Sequence, residues 1–225
     1  MRSLLLSVSF AVLALTSSAC ADEPVKNIPA PVIDETPVAG TETAVLAGGC
    51  FWGLQGVFEH VKGVSQVLAG YSGGAKDTAN YEAVSSETSG HAESVQIKFD
   101  PKVVTYGQLL RVYMSVAHDP TKLNRQGPDS GTSYRSNIFF ITPEQQKIAT
   151  AYIAQLGKAH VYSDPIVTRV DRITAFYPAE DYHQDYLIHN PDSGYIMVND
   201  LPKIGNLKRI YPELYRDKPV MVASR

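Results

Sequence analysis

A single cysteine between glycines is the residue best placed to do chemistry in this sequence. Cys50 stands in the segment GGCFWG, residues 48–53. The apolar run 44–47 before it is typical of a strand, and residues 54–60 after it are compatible with a helix. Where a strand breaks into a helix, the break residue lies beside free backbone N–H groups and the positive end of the helix dipole. We therefore expect Cys50 to be biased toward the thiolate, the reactive form of cysteine.

Other polar and aromatic side chains that could serve such a site are concentrated in loops and at strand ends. They fall in four segments: 81–84 (YEAV), 90–93 (GHAE), 127–136 (GPDSGTSYRS) and 176–183 (FYPAEDYH). On the residues alone, one open interpretation is an exported Cys–His hydrolase, with Cys50 attacking an acyl group and His91 or His183 as base. A non-catalytic envelope binding module is another. No Cys-x-x-Cys or His-x3-His spacing is present, so we expect no metal site.

Composition places the chain among ordinary globular proteins and excludes one class of partner. Its 225 residues are 44% hydrophobic and 19% charged, which is enough for one domain with a substantial core. The formal net charge is −3, so the chain has no basic field for binding nucleic acid. We expect a monomer.

The N-terminal segment 1–21 has the pattern of an export signal, with a basic start and an apolar run too short to span a membrane comfortably. Two processing routes fit the small residues at its end. Cleavage after Ala21 would discard Cys20, whereas Ser18-Ala19-Cys20 resembles a lipobox and would make Cys20 a lipidated first residue. We expect an exported protein, either periplasmic or a cell-envelope lipoprotein tethered to the membrane through Cys20.

The segments that follow define the expected domain organisation. Residues 22–42 contain four prolines and no periodic pattern, which predicts a linker, and we expect the folded domain to span 43–215 with a tail at 216–225. The domain contains one cysteine and can form no internal disulfide, so Cys50 is not present for stability.

Strand-like and helix-like segments alternate along the domain. The patterns predict strands at 64–71, 93–99, 137–141 and 167–173, and helices at 105–117 and 142–159. Thr105 and Thr142 are the expected N-caps, the latter followed by Pro143 and by Gln145 at the capping-box position. This order predicts an α+β fold, a two-layer sandwich in which helices cover a mixed β-sheet with a ferredoxin-like core.

Four of these motifs, in this order, resemble those of the A-type peptide methionine sulfoxide reductases. They are GCFWG at 49–53, GHAE at 90–93, GTSYRS at 131–136 and AEDYH at 179–183. The resemblance extends over about residues 43–215. It implies thiol-dependent repair of methionine (S)-sulfoxide in oxidised proteins. Free methionine sulfoxide is an alternative substrate that the resemblance leaves open. The Cys50 thiolate would attack the sulfoxide sulfur and become a sulfenic acid.

The resemblance also implies roles for other residues. Sulfoxide oxygen leaves only when protonated, and Glu93 matches the acid of the family, a role that requires a shielded carboxyl. Tyr81 and Tyr134 match residues that donate hydrogen bonds to the sulfoxide oxygen. Four residues match substrate-binding positions: Phe51 and Trp52 as an apolar wall for the methyl group, Asp129 at the mouth, and Tyr182 lining the pocket. We assign neither His91 nor His183 a role in proton transfer.

The chain departs from the family in one respect. Many members carry resolving cysteines near the C-terminus, but residues 190–225 contain none. This predicts a one-cysteine cycle without a bound cofactor, in which an external thiol, from a thioredoxin-like protein or a small molecule, reduces the Cys50 sulfenic acid. Cys20 is expected to be removed or lipidated, which makes it a poor resolving cysteine.

Overall fold

The computed structural model describes residues 25–222, so the expectations for the export signal and for Cys20 lie outside the described residues. The strands are β1 (Glu42–Ala47), β2 (Val64–Ser72), β3 (Ala92–Phe99), β4 (Arg125–Gln126), β5 (Asp129–Ser130), β6 (Asn137–Phe140), β7 (Arg169–Arg172) and β8 (Phe176–Pro178). The helices are α1 (Phe51–Glu59), α2 (Tyr81–Ser85), α3 (Tyr106–Val112), α4 (Pro143–Lys158), α5 (Tyr186–His189) and α6 (Leu201–Ile210). Between residues 25 and 222, no helix is both long enough and apolar enough to cross a membrane.

Six strands form one mixed sheet in the order β7-β6-β1-β3-β2-β8. Only β6 and β7 are parallel, and the other neighbouring pairs within this sheet are antiparallel. Within it, β1-α1-β2-β3-α3-β6 has the spatial strand order β6-β1-β3-β2, which is the order of a ferredoxin-like unit. The predicted fold class is confirmed.

The main hydrophobic core lies between this sheet and its helices. Ala44 and Leu46 of β1 belong to that core, with buried residues of α1, α3 and α4. Their neighbours Val45 and Ala47 belong to a smaller cluster, because successive side chains of a strand point to opposite faces of its sheet. The result is a helix layer on one face, as expected for a two-layer sandwich.

The predicted helix starts are present with their caps. Thr105 and Gln108 form a complete capping box at the start of α3, and a π-helical turn, Tyr113–Ala117, continues that helix to the predicted end. Thr142 caps α4 by accepting a hydrogen bond from the Gln145 backbone N–H. The Gln145 side chain accepts from the N–H of Ile141, one residue earlier than a standard capping box requires.

Part of the predicted linker is packed against the domain. Ile28 is 1% exposed, its N–H donates to the Tyr211 hydroxyl, and its carbonyl accepts from Arg111. Asp34 accepts from the Thr105 hydroxyl and the Gly107 N–H at the start of α3. Residues 27–35 therefore form an extended strap, not a free spacer, because apolar and hydrogen-bonding side chains between the prolines anchor it.

Candidate active site

Cys50 lies where β1 ends and α1 begins, as the sequence predicted. It is the N-cap residue of α1 and accepts a hydrogen bond from the Leu54 N–H through its carbonyl oxygen. Gly49 before it has φ +92°, and a Cβ there would lie 2.7 Å from Cβ of Gln126. Glycine at 49 is thus required both by the backbone turn and by the close approach of Gln126.

The protonation of Cys50 differs from the thiolate expected at a helix N-terminus. The side chain is buried, with 8% of the residue exposed, and burial raises the pKa of its thiol well above the usual value. The carboxyls of Glu93 and Asp200 raise this pKa further, while the Trp52 backbone N–H and Lys203 lower it. The effect of the helix end is present but smaller than desolvation, so the resting site holds a thiol.

Glu93 lies on β3 directly beside the first turn of α1. Its Oε2 accepts a hydrogen bond of 2.9 Å from the Phe51 N–H, and the residue is 3% exposed. Burial raises the pKa of this carboxyl to about 8; the Phe51 N–H lowers it, and the charges of Asp129, Glu87 and Asp200 raise it. At neutral pH the carboxyl is mostly protonated and can donate a proton.

One cavity of about 220 Å³, the site cavity, gathers most of the predicted residues. It is lined by Cys50, Phe51, Trp52, Tyr81, Glu93, Asp129, Tyr134 and Tyr195. Seven of the eight predicted site residues are therefore together, although they come from separate segments of the chain. Tyr182 is the exception, and Tyr195 is an addition.

Two tyrosines reach the site cavity from short helical turns. Tyr81 is the first residue of α2, which Asn80 caps by accepting from the Ala83 N–H at 3.0 Å. Tyr134 ends the turn Thr132–Tyr134, and burial together with the Glu93 charge raises the pKa of its phenol. A neutral phenol is a hydrogen-bond donor, as a site that binds an oxygen requires.

Phe51 and Trp52 form the apolar wall of the site cavity. Phe51 is buried and its ring centroid lies 5.8 Å from that of Tyr71. Trp52 is stacked on Tyr186 at 3.9 Å, and its indole Nε1–H donates to Nδ1 of His183 at 3.1 Å. The indole is thus held by stacking on one face of the ring and by a hydrogen bond from its N–H group.

Tyr182 lies outside the site cavity, contrary to the prediction that it lines the pocket. It is 63% exposed and lines a neighbouring cavity, while its ring packs 4.2 Å from that of His183. The turn Asp181–His183 directs His183 inward, where it is 2% exposed, and so turns Tyr182 outward. His183 supports the site from behind through contacts with Phe51 and Tyr81 at 5.0 and 4.6 Å.

Neither histidine considered as a base lines the site cavity. His91 is held by the Gly74 N–H and the Ala75 carbonyl, at 3.3 and 2.9 Å. His183 accepts from Trp52, and burial lowers the pKa of its imidazole. These positions are structural, and they leave the hydrolase interpretation without a base beside Cys50.

Two contributors were missed by the sequence reasoning. Tyr195 lines the site cavity and its hydroxyl donates to Oδ2 of Asp129. Glu87, in the left-handed region with φ 63°, accepts from the Ser133 N–H at 2.8 Å and from the Thr132 hydroxyl at 3.0 Å, and so holds the turn that presents Tyr134. A signal for Tyr195 was available, because the turn PDSG at 128–131 recurs at 191–194 immediately before it.

Comparison with known proteins gives a consistent result. A family model described as peptide methionine sulfoxide reductase matches residues 42–214. The peptide methionine sulfoxide reductase MsrA 2 of Mesorhizobium japonicum is 60% identical over 192 residues, which cover 85% of this chain and 98% of the relative. A relative of the same name from Synechocystis is 52% identical, covering 84% of this chain and 90% of the relative.

Solved structures agree with the sequence relatives. The reduced form of Mxr1 from Saccharomyces cerevisiae has 31% identity and a TM-score of 0.61, with 73% of this chain and 94% of that chain covered. Methionine sulfoxide reductase A of Corynebacterium diphtheriae has 33% identity and a TM-score of 0.58, with 76% and 86% covered.

Proposed function

Because the chain belongs to the peptide methionine sulfoxide reductase family and reduces peptide methionine (S)-sulfoxide, we propose that Cys50 is the nucleophile and Glu93 the acid of that reaction. The observation that carries the proposal is the hydrogen bond from the Phe51 N–H to Oε2 of Glu93. It places a buried, mostly protonated carboxyl beside the residue that follows the thiol, in one cavity with Cys50.

The chemical step balances with these two groups alone. The sulfur of Cys50 attacks the sulfoxide sulfur, and Glu93 donates its proton to the sulfoxide oxygen. The hydroxyl group then transfers from the substrate sulfur to the sulfur of Cys50, so that the substrate sulfur–oxygen bond and the newly formed sulfur–sulfur bond both break, methionine leaves, and Cys50 becomes a sulfenic acid. The thiol proton returns to Glu93, so methionine sulfoxide and a thiol become methionine and a sulfenic acid with no further reactant.

The remaining residues of the site cavity orient the substrate. Tyr81 and Tyr134 donate hydrogen bonds to the sulfoxide oxygen, since both are phenols that line the site cavity with Glu93. Phe51 and Trp52 receive the methyl group, because contacts between sulfur and aromatic rings are favourable. Asp129 lines the site cavity, where its carboxylate accepts from Tyr195 and can hold the backbone of a peptide.

The sulfenic acid is then reduced by an external thiol. Cys50 is the one free cysteine within residues 25–222. A first thiol displaces water to form a mixed disulfide with Cys50, and a second thiol releases Cys50 and a disulfide of the two reductants. The thiol donor is a thioredoxin-like protein or a small molecule. Substrates are oxidised proteins whose methionine sulfoxide is exposed, since the reacting sulfur must enter the site cavity.

We further infer an exported enzyme that acts as a monomer in the periplasm or the cell envelope. The pattern of residues 1–21 supports export, and the lipobox-like Ser18-Ala19-Cys20 supports a lipid tether as one of the two processing routes. Mass spectrometry of the mature N-terminus distinguishes a lipidated Cys20 from cleavage after Ala21. A mature chain that starts at Met1 would contradict both processing routes and would indicate an uncleaved anchor.

The catalytic roles are tested by an assay on each sulfoxide epimer with two matched cysteine variants. Cys50→Ser should abolish reduction of the S epimer, and Cys20→Ser should leave it unchanged when the full chain is used. Wild type should leave the R epimer unreacted, since one enzyme type serves each epimer. Loss of activity in Cys20→Ser would contradict the one-cysteine cycle.

A further inference from the structure

Cys50 also lines a second cavity of about 220 Å³, here called the rear cavity. Its walls come from residues 25–26 before the strap, the π-helical turn after α3, the β4–β5 hairpin and the segment that leads into α6. Val25, Val116, Gln126, Val198, Asn199 and Lys203 are among its lining residues. The site cavity contains none of these six residues, so the two cavities have largely different walls.

Three residues are common to the two cavities, namely Cys50, Asp129 and Tyr195. The Tyr195 hydroxyl donates to the Asp129 carboxylate, and this bonded pair lies at the boundary between the cavities. The cysteine, though 8% exposed, can thus be approached from both sides of the pair.

The second half of the cycle has a directional requirement that this arrangement meets. A thiol that displaces oxygen from a sulfenic acid must approach the sulfur in line with the departing oxygen and from the opposite side. The oxygen enters from the site cavity, where Glu93, Tyr81 and Tyr134 surround it. The free approach to the sulfur is therefore from the rear.

The charge of Lys203 at the rear cavity is balanced by an acidic partner. Lys203 lines this cavity and is partly exposed, and its ammonium donates to Oδ1 of Asp200 at 3.0 Å. The Asp200 carboxyl raises the pKa of Cys50 by more than Lys203 lowers it, so rear entry is favoured by geometry and not by this charge.

We propose that the rear cavity is the entry site of the reducing thiol and that a small-molecule thiol is its ligand. This inference rests on the proposed function. The small carrier is favoured because the route leads through a confined cavity to a sulfur that is almost fully buried. The attack forms a sulfur–sulfur bond between the carrier and Cys50 and breaks the sulfur–oxygen bond, and the hydroxyl leaves as water with the thiol proton.

The test separates the two half-reactions in the full-length protein. One methionine sulfoxide turnover without reductant loads Cys50 as the sulfenic acid, and 2-mercaptoethanol, glutathione or thioredoxin is then added. The variant is Val198→Trp, at a residue that is 73% exposed on the rim of the rear cavity. The control is Met197→Trp, the adjacent residue, which is 51% exposed and lines neither cavity.

Val198→Trp should form the sulfenic acid at the wild-type rate and should slow its reduction by both small thiols about tenfold, with no such effect in the control. If only reduction by thioredoxin is slowed, the proposal is overturned, because the added side chain would then hinder docking of a protein and not the entry of a small thiol into the cavity. Unchanged reduction by all three thiols would also overturn it. Absence of a sulfenic acid in wild type would instead refute the proposed function.

A second experiment tests the same proposal without a substitution in the rear cavity. A peptide with methionine sulfone, which should occupy the site cavity without being reduced, is added to the preformed sulfenic acid. 2-Mercaptoethanol should reduce the sulfenic acid at the same rate with and without the sulfone peptide. The same concentration of sulfone peptide should inhibit reduction of the sulfoxide substrate. Equal inhibition of both half-reactions would overturn the rear entry.

Discussion

The backbone N–H of Phe51 donates to Oε2 of Glu93 over 2.9 Å, and this contact joins the start of α1 to the strand β3 at the reacting centre. Both partners are buried. The hydrogen bond fixes the carboxyl relative to the residue that follows Cys50, while burial keeps that carboxyl protonated. The acid and the nucleophile are therefore positioned by the backbone of one helix start.

Removing the acid should stop the first half-reaction. Glu93→Gln keeps the size of the side chain but has no proton to donate, so we expect formation of methionine in a single turnover to fall by about 10²- to 10⁴-fold. Rapid-quench measurement of methionine checks this. Binding of a methionine sulfone peptide should remain within a few-fold of wild type. A rate close to that of wild type would exclude Glu93 as the acid.

The pH dependence should report the same carboxyl. The pKa of Glu93 is about 8, so the fraction that can donate a proton falls as the pH rises through that value. We expect the single-turnover rate of wild type to decrease above about pH 8. A rate that increases steadily with pH through this range would indicate that the thiolate of Cys50, and not the acid, limits the step.

Stability should change with pH in the opposite sense to that of an ion-paired carboxylate. Folding raises the pKa of Glu93 from 4.5 to about 8, so between these pH values the folded protein keeps a proton that the unfolded chain has lost. The free energy of unfolding of wild type therefore decreases by up to ~1.4 kcal/mol per pH unit as the pH rises through this range. Glu93→Gln lacks this loss and should gain stability relative to wild type as the pH rises. Urea denaturation of both proteins at each pH isolates Glu93, because other buried carboxyls, such as Glu59, are common to the two.

The hydrogen bond from Trp52 to His183 should set the affinity for the substrate. His183→Phe keeps a ring against Phe51 but removes the acceptor of the indole N–H, which costs on the order of 1 kcal/mol, or several-fold in KM. Trp52 is the only tryptophan, so its fluorescence reports the displacement directly. The control His189→Phe, at an exposed histidine, should change neither KM nor the fluorescence. An unchanged emission spectrum in His183→Phe would contradict this role.

Glu87 should act through Tyr134 without contacting the substrate. Glu87→Ala removes the acceptor for the N–H of the buried Ser133, so we expect the turn to shift and the single-turnover rate to drop by about tenfold. Glu87→Gln keeps an acceptor and should restore most of the rate. The control Glu82→Ala, an exposed residue in α2, should behave as wild type. Equal rates in Glu87→Ala and the control would exclude the positioning role.

The strap should contribute to stability. Ile28 is 1% exposed, so Ile28→Ala should lower the free energy of unfolding by about 2–4 kcal/mol through lost burial and a cavity. Val32→Ala, at a residue that is 84% exposed, should change it by less than about 0.5 kcal/mol. Denaturant unfolding measures both. Equal free energies of unfolding for the two variants would indicate that this segment is a free linker.

The sequence was sufficient for the features that depend on local patterns. The strands around residues 64–71 and 93–99 were predicted from their apolar residues, with alternation in the second, the cap at Thr105 has its Gln partner, and the ferredoxin-like core was predicted from the order of strands and helices. The motif residues Cys50 and Glu93 were identified by type and resemblance, and the structure brings them together in the site cavity.

Features that depend on tertiary packing were not predictable in this way. Within the turn Asp181–His183, the contacts of His183 with Phe51 and Trp52 determine that His183 points inward. The exposure of Tyr182 depends on these contacts and could not be predicted from the sequence. The repeated PDSG turn marks the position of Tyr195 but does not predict its contact with Asp129, which lies 66 residues away in the sequence. The protonation of Cys50 depends on burial, which the motif alone does not reveal.

A single turnover without reductant tests the central claim most directly. Wild-type protein is mixed with an excess of a peptide that contains methionine (S)-sulfoxide, and both methionine and the mass of Cys50 are measured. We expect one equivalent of methionine per protein and a sulfenic acid on Cys50 that a selective reagent traps. No methionine with Cys50 still a thiol, or methionine formed while Cys50 remains unmodified, would contradict it.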